Sequence, residues 1–293
     1  MPTIPVNDIE ICYESFGDAD APPLLLVMGL GAQMTLWSPG FVSELLERGF
    51  RVIRFDNRDV GLTTKTDGPP PDVMAMYAAF AAGQPIEAPY TLSLLAADAV
   101  GLLDALEIPA AHIVGASMGG MIVQTIAIEH PDRVLSLTSI MSTTGHTEVG
   151  QPDPESMMAL LTPAPTDRDG AIRQSVETSR VISGELFDED WSRSVATESF
   201  DRCFNPAGTA FHLVAIAASG DRTEGLRSLD VPTLVIHGRQ DSLVTLSGGE
   251  ATAAAVPGAE LLVFGRMGHD MPSLYWPQMA DAIFNIAARG EER

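Results

Sequence analysis

The sequence predicts an α/β protein whose sheet is mostly parallel and carries helices on both faces, with one helical insertion. Along most of the 293-residue chain, short apolar stretches alternate with longer stretches of helical periodicity, the pattern of strands joined by crossover helices. This alternation stops once, between about residues 143 and 225, and then resumes. Apolar residues make up 45% of the chain, enough to bury a large core around such a sheet.

Seven stretches are predicted to be strands because they are short, apolar and bounded by turn residues. In chain order they are 9–16, 24–28, 51–55, 111–114, 134–141, 233–238 and 259–264. Five longer stretches are predicted to be helices, and Gly49 gives the first of them a typical end. They are 39–49, 92–106, 118–130, 246–256 and 271–288. Continuous apolar strands alternating with helices favour a parallel sheet that is buried on both faces.

Two regions depart from the alternation. Between 143 and 225, four prolines are followed by amphipathic stretches at 171–183, 188–200 and 208–219, so a mostly helical cap is predicted over 143–225. The core would then comprise 1–142 and 226–293. A second irregular region, 64–90, is long for a connection; it is interpreted either as a lid or binding loop or as a packed surface excursion.

Charge and cysteine content limit the partners. The formal net charge of −22 argues against nucleic acid and anionic membranes as partners, because both need clustered Lys and Arg. Cys12 and Cys203 are far apart and predict no disulfide framework, which fits a reducing compartment. No signal-peptide pattern is apparent, and the apolar run 24–31 is too short to span a bilayer. We therefore expect a cytoplasmic protein without an integral membrane segment. The sequence leaves its oligomeric state, monomer or homodimer, open.

The pentapeptide Gly115-Ala116-Ser117-Met118-Gly119 is the most informative motif of the chain. It follows a predicted buried strand and opens a predicted buried helix. Such a strand–turn–helix holds a serine Oγ in a strained and exposed position, and the glycines allow close approach of strand and helix. The pattern predicts that Ser117 is a nucleophile.

A nucleophilic serine needs a base, and the base needs a carboxylate that orients it. Asp241 and His269 each follow the carboxyl end of a predicted strand, as Ser117 does, and ligand sites in open α/β sheets gather at that edge. The chain order serine, acid, histidine also matches this type of site. Taken singly, His269 could be a surface histidine and Asp241 a helix cap; together with Ser117 they predict a catalytic triad.

Acyl transfer also needs donors for the negative oxygen that develops during attack. The predicted donors of this oxyanion hole are the backbone N–H groups of Met118, directly after the serine, and of Leu30, in the glycine loop after the second predicted strand. The alternative for that loop is a tight turn without a catalytic role. The five other histidines are predicted to be structural; they are His112, His130, His146, His212 and His237. His237 and His269 lack metal-ligand spacing with any Cys or carboxylate cluster.

At these residues the sequence resembles α/β-hydrolase fold proteins over nearly its whole length. Within them it is similar to the subgroup of aclacinomycin methylesterases and related bacterial lipase-like carboxylesterases. The resemblance is carried by Leu26-Val27-Met28-Gly29, Arg54-Phe55-Asp56-Asn57-Arg58-Asp59, Gly115-Ala116-Ser117-Met118-Gly119 and Met267-Gly268-His269. It implies an eight-stranded sheet, a helical cap over the sheet edge, a structural role for the loop 56–59, and neither metal nor organic cofactor. Met28 stands where members often have a histidine.

The predicted function is hydrolysis of small or hydrophobic carboxylic esters, including methyl esters or lipids, through an acyl-enzyme on Ser117. Two alternatives stay open. A carbon–carbon bond hydrolase or a cofactor-free perhydrolase would use the same triad, and the former would need an arginine facing the site, for which Arg173, Arg180 and Arg193 are candidates. A ligand-binding protein of the same fold would keep the triad but turn over little.

Overall fold

The computed structural model describes residues 1–291, which form eight strands and eleven α-helices. The strands, numbered in chain order, are β1 (Thr3–Val6), β2 (Ile9–Phe16), β3 (Pro23–Val27), β4 (Arg51–Phe55), β5 (Ala111–Ala116), β6 (Val134–Ile140), β7 (Thr233–Gly238) and β8 (Glu260–Phe264). They form one sheet in the order β1-β2-β4-β3-β5-β6-β7-β8. Strand β2 pairs antiparallel with β1 and β4, and the remaining pairs are parallel. The α/β class and the mostly parallel sheet are therefore confirmed.

The helices pack on both faces of this sheet. They are α1 (Pro39–Glu47), α2 (Val73–Ala81), α3 (Leu92–Ala105), α4 (Met118–Glu129), α5 (Pro154–Leu161), α6 (Arg168–Ile182), α7 (Glu189–Arg202), α8 (Pro206–Ser219), α9 (Thr223–Arg227), α10 (Leu246–Ala255) and α11 (Trp276–Glu291). Within the described part of the chain, no helix has the length and apolar character needed to cross a bilayer.

The core lies in two layers because successive side chains of each central strand point to opposite faces of the sheet. In β3, Leu25 and Val27 pack in the layer with α3 and α4. Leu24 and Leu26 pack in the layer with α1 and α11. All four side chains have no exposed surface, which is why the strand is apolar throughout rather than alternating.

Strand β1 and helices α2, α5 and α9 were not predicted individually from the sequence. Strand β1 is a four-residue edge strand containing Pro5, and a proline is tolerated there because an edge strand need not donate every N–H. Helix α2 lies inside the region 64–90 and is apolar nearly all round, yet only Met76 of its residues is buried. Its apolar residues follow no one-sided helical pattern, so the periodicity that identifies surface helices is absent.

Residues 141–232, all of them described, hold five helices and no strand. The chain leaves and re-enters the sheet region through a narrow neck formed by Thr143–Gly145 and Gly220–Arg222. Arg222 N donates to Thr144 O at 2.8 Å, and the Arg222 guanidinium donates to Thr143 O at 2.9 Å and Gly220 O at 3.2 Å. Burial lowers the pKa of Arg222 to about 10. Helices α5 to α8 are thus an excursion whose two ends are hydrogen-bonded to each other.

Candidate active site

Ser117 lies in the sharp turn between β5 and α4. Its backbone has φ 57° and ψ −121°, a conformation that residues other than glycine rarely adopt. A Cβ at Gly119 would lie 2.0 Å from Val27 O, and one at Gly115 would lie 2.1 Å from Gly119 O. Strand and helix can therefore approach this closely only with glycine at both positions, and Ser117 N is fixed by donation to Ile140 O at 2.9 Å.

The structure brings the three residues of the predicted triad together. His269 Nε2 lies 2.9 Å from Ser117 Oγ, and His269 Nδ1 lies 2.8 Å from Asp241 Oδ2. Since the carboxylate can only accept, Nδ1 carries a hydrogen, and the Nε2 lone pair faces the serine hydroxyl. This arrangement lets the imidazole take the hydroxyl proton while the carboxylate stabilises the resulting positive charge.

Asp241 is held rigidly on its other side. Its Oδ1 accepts from Leu243 N at 3.0 Å and from Val244 N at 2.8 Å. His237 donates from Nε2 to Val244 O at 2.8 Å, and the same nitrogen is 3.5 Å from Asp241 Oδ2. Burial lowers the pKa of His237 and so favours its neutral form.

The loop that carries His269 is fastened by an acid that sequence reasoning did not single out. Asp270 Oδ1 accepts from Gly268 N at 2.9 Å and from Gly184 N at 3.3 Å. Also, His269 N donates to Ile182 O at 2.8 Å. Burial raises the pKa of Asp270. The only sequence signal for this residue is its place directly after His269.

The predicted oxyanion donors lie on two sides of the serine. Met118 is the first residue of α4, where backbone N–H groups have no partner within the helix and the helix dipole favours negative charge. On the other side the loop after β3 touches the serine, since a Cβ at Gly29 would lie 3.0 Å from Ser117 Cβ. Leu30 follows Gly29 in that loop, and its role as the second donor stays a prediction.

The other candidates from the sequence lie away from this centre or at the surface. His112 is buried at the start of β5, 2.9 Å from Ser136 Oγ. Arg180 and Arg193 both pair with Glu189 and are roughly half exposed, and Arg173 is exposed. Within residues 1–291, no group of three or more His, Cys, Asp or Glu side chains is arranged to hold a metal ion.

The loop 56–59 is a buried polar support, as its turn residues suggest. Asp56 accepts from Met34 N at 2.9 Å and pairs with Arg202 of α7 at 2.7 Å. Arg58 pairs with the buried Asp98 at 2.9 Å. These contacts anchor the segment that follows β3 and the end of α7 to the same loop.

A mostly parallel eight-stranded sheet with a strained serine directly after a central strand is typical of α/β hydrolases. A family model described as alpha/beta hydrolase fold matches residues 22–272. The chain belongs to this family.

Known proteins refine this placement. The chain is 29% identical to a rhodomycin D methylesterase from Streptomyces sp., over 97% of each protein. It is also 29% identical to a 2-hydroxymuconate semialdehyde hydrolase from Pseudomonas sp., over 89% of this chain and 82% of that protein. Among solved structures, a meta-cleavage product hydrolase from Pseudomonas fluorescens aligns with a TM-score of 0.77 at 22% identity, covering 100% of this chain and 98% of its own. This last likeness shows the shared fold.

Proposed function

We propose that the chain is a serine hydrolase that cleaves carboxylic esters through an acyl-enzyme on Ser117. The observation that carries the proposal is the pair of hydrogen bonds at His269, 2.9 Å to Ser117 Oγ and 2.8 Å to Asp241 Oδ2. Membership in the hydrolase family and similarity to a methylesterase along almost the whole chain support hydrolysis of ester bonds.

In the proposed mechanism, Ser117 Oγ attacks the ester carbonyl while His269 Nε2 takes its proton. The carbonyl oxygen becomes negative and is held by the N–H groups of Met118 and Leu30. His269 then gives the proton to the leaving alcohol, and the acyl group stays on Ser117. A water molecule deprotonated by His269 releases the acid and restores the serine. Asp241 keeps the imidazole in one tautomer throughout.

The helical segment 143–225 is proposed to be a cap over this chemistry, with the core formed by 1–142 and 226–293. The support comes from its contacts with the loops that carry the acid and the histidine. Ser156 Oγ of α5 lies 2.8 Å from Ser242 Oγ, beside Asp241. The backbone of Ile182, at the end of α6, accepts from His269 N. The cap would thus define the space in which a substrate sits.

Hydrophobic esters of small alcohols are the proposed substrate class. Helices α2 and α5 meet where Tyr77 Oη lies 3.4 Å from Met157 Sδ. On these helices Met74 is 72% exposed and Met158 is 70% exposed, so these two side chains do not serve as core. Apolar, adaptable methionines suit contact with a bulky apolar acyl group, and methyl esters are the first group to test because of the methylesterase relative.

A carbon–carbon bond hydrolase is the second candidate, favoured by the similarity to a 2-hydroxymuconate semialdehyde hydrolase. The arginines considered for binding an anionic substrate do not support it. Arg180 and Arg193 share Glu189 in surface ion pairs. The net charge of −22 also repels an anionic substrate. We therefore rank ester hydrolysis first.

Replacing Ser117 by alanine tests the proposal directly. The wild-type chain should hydrolyse p-nitrophenyl esters, and a fluorophosphonate should label one peptide, which contains Ser117. In Ser117→Ala both signals should vanish, since triad enzymes lose about 10⁶-fold in kcat without the nucleophile, while the thermal unfolding midpoint stays close to that of the wild type.

A wild-type chain that neither reacts with the fluorophosphonate nor turns over any ester would contradict the proposal and favour a binding protein. If the wild type does hydrolyse esters, a panel of methyl, short acyl, long acyl, lactone and thioester substrates defines its preference. A parallel assay with a vinylogous 1,5-diketone acid tests carbon–carbon cleavage. Faster turnover of that compound than of every ester would place the second candidate first.

A further inference from the structure

Helix α8 contacts the loop that holds Leu30. The four residues Gly29–Ala32 form a turn that is closed by donation from Ala32 N to Gly29 O at 3.3 Å. Gly31 occupies the third position of this turn with φ +62°, the left-handed conformation that type II turns require there. Leu30 is the second residue, so the geometry of this turn sets the direction of its N–H.

His212 of α8 binds the central peptide of the turn. Gly31 N donates to His212 Nδ1 at 3.2 Å, and His212 Nε2 lies 2.7 Å from Arg58 O. A carbonyl oxygen can only accept, so Nε2 carries the ring hydrogen and Nδ1 presents a lone pair to Gly31. The side chain is fully buried, and burial lowers its pKa. A protonated ring would lose the acceptor that Gly31 needs.

The turn is restrained on two further sides. Thr209, one helical turn before His212, packs on Gly31 so closely that a Cβ there would lie 2.4 Å from Thr209 Oγ1. At the other end of the loop, Asn57 Nδ2 donates to Met28 O at 2.8 Å. Of these contacts, the one from His212 fixes the orientation of the Leu30–Gly31 peptide by a directional hydrogen bond.

We propose that His212 is a positioning residue for the oxyanion hole: from the helical segment it sets the turn that aims the Leu30 N–H. The inference rests on the proposed function. Oxyanion donors stabilise the transition state only when they lie about 2.7–3.1 Å from the developing charge. A donor that is misaimed weakens transition-state binding but leaves the bound ester nearly unaffected. The loss therefore falls on kcat rather than on KM.

Two substitutions separate the two contacts of the ring. In His212→Asn the amide oxygen stands near the position of Nδ1 and still accepts from Gly31. In His212→Gln the amide nitrogen reaches toward the position of Nε2 and Arg58 O, and the acceptor for Gly31 is lost. His112→Gln is the matched control, because His112 is also a fully buried histidine that lies at the opposite end of β5.

With a p-nitrophenyl ester, His212→Gln should lower kcat by about 10- to 100-fold, somewhat less than removal of a whole oxyanion donor, with KM nearly unchanged. His212→Asn should recover most of that loss. A trifluoromethyl ketone, which forms a negatively charged adduct with the serine, should lose affinity in parallel with kcat. His112→Gln should lower the unfolding midpoint without a change in kcat.

An active wild type together with wild-type kcat in His212→Gln would overturn this inference alone, as would equal losses in the Gln and Asn variants. A wild type without any ester turnover would overturn the proposed function, and the inference with it. If His212→Gln does not fold, ¹⁵N spectra of the wild type decide. They must show Nε2 of His212 protonated and Nδ1 unprotonated at neutral pH, and the reverse tautomer contradicts the inference.

Discussion

At the scale of single residues, the site is built from side chains whose partners are backbone groups of neighbouring loops. Asp241 accepts from Leu243 N and Val244 N, and Asp270 accepts from Gly268 N and Gly184 N. Both carboxylates thus order the loops around His269, but only Asp241 touches the imidazole. Because each hydrogen bond comes from a fixed amide, the side chains have little freedom to leave this geometry.

The buried environment of Asp270 should show in how the free energy of unfolding changes with pH. Burial raises its folded pKa above the ordinary 3.8, so the folded chain binds a proton more readily than the unfolded chain. The stability that Asp270 contributes is therefore complete below pH 3.8 and declines as pH rises through the folded pKa. At pH 7, burial of the charged carboxylate lowers the stability of the fold. An asparagine has no charge there and retains an oxygen that accepts from Gly268 N and Gly184 N.

We therefore expect Asp270→Asn to be at least as stable as the wild type at pH 7, and to lose that relative advantage near pH 4. Urea unfolding of both proteins at the two pH values measures the difference. Asp132→Asn provides a comparison carboxylate, since Asp132 is exposed and lies just before β6, away from the His269 loop. A relative stability of Asp270→Asn that grows on acidification would contradict the sign of the pKa shift.

Ser117, Asp241 and His269 could be predicted because each follows directly after the carboxyl end of an apolar strand, so one sheet edge collects them. His212, His237 and Asp270 could not be recognised in the same way. The role of His212 depends on where α8 crosses the Gly29–Ala32 turn, and no local pattern records that crossing. Similarly, Asp270 bonds to Gly184, which is 86 residues away in the chain.

At the scale of secondary-structure elements, the turn between β5 and α4 is fixed by how closely its two elements approach. The backbone of α4 passes so near to β3 that Gly119 faces Val27 O directly. The atoms that a Cβ at Gly119 would meet are the backbone atoms of Val27 and Met28. They cannot make room for a side chain unless the helix or the strand moves. One added methyl group in this turn therefore disturbs the packing of β3, β5 and α4.

Gly119→Ala should lower the free energy of unfolding by about 3 kcal/mol, at the upper end of the usual cost of overpacking, and should also lower activity by displacing Ser117. Gly265→Ala is the control: a Cβ there meets nothing within 4 Å, and its φ lies outside the left-handed region. That change should stay within about 0.5 kcal/mol. Denaturant unfolding measures both, and equal stability of the two variants would rule out the close approach.

The elements with regular patterns could be predicted from the sequence, and the irregular ones could not. Strands β2 and β4 have the bounds predicted from the sequence, 9–16 and 51–55. Strand β1 is too short and too rich in proline to give a signal. Helix α5 was not predicted because prolines surround it. One of them, Pro154, is its first residue, a position where proline is compatible with a helix.

At the scale of the whole molecule, the formal charge of −22 gives the protein a negative field. Such a field raises the local concentration of cations and lowers that of anions, and salt weakens both effects. The Debye length falls from about 30 Å at 0.01 M ionic strength to about 8 Å at 0.15 M. The field therefore acts on an approaching substrate at low salt and is largely screened at physiological salt.

Accordingly, kcat/KM for a cationic ester should fall several-fold between 0.01 M and 0.15 M NaCl, and kcat/KM for a matched anionic ester should rise. A neutral ester of the same acyl group serves as the control and should change little. Initial rates at low substrate concentration give all three values. Identical salt dependence for the three esters would mean that the field does not reach the site.

The neck at Thr143–Gly145 and Gly220–Arg222 has a consequence for how proteins of this shape diversify. Because one backbone hydrogen bond, from Arg222 N to Thr144 O, joins the two ends of the excursion, a foreign segment needs only to bring its own ends that close to be grafted there. The sheet and its serine turn would be inherited unchanged, while the grafted helices would replace those that now contact the Gly29–Ala32 turn and the His269 loop. The neck is thus a splice point at which recombination keeps the sheet and the Ser117 turn, provided that the new segment supplies its own contacts to the Gly29–Ala32 turn and the His269 loop.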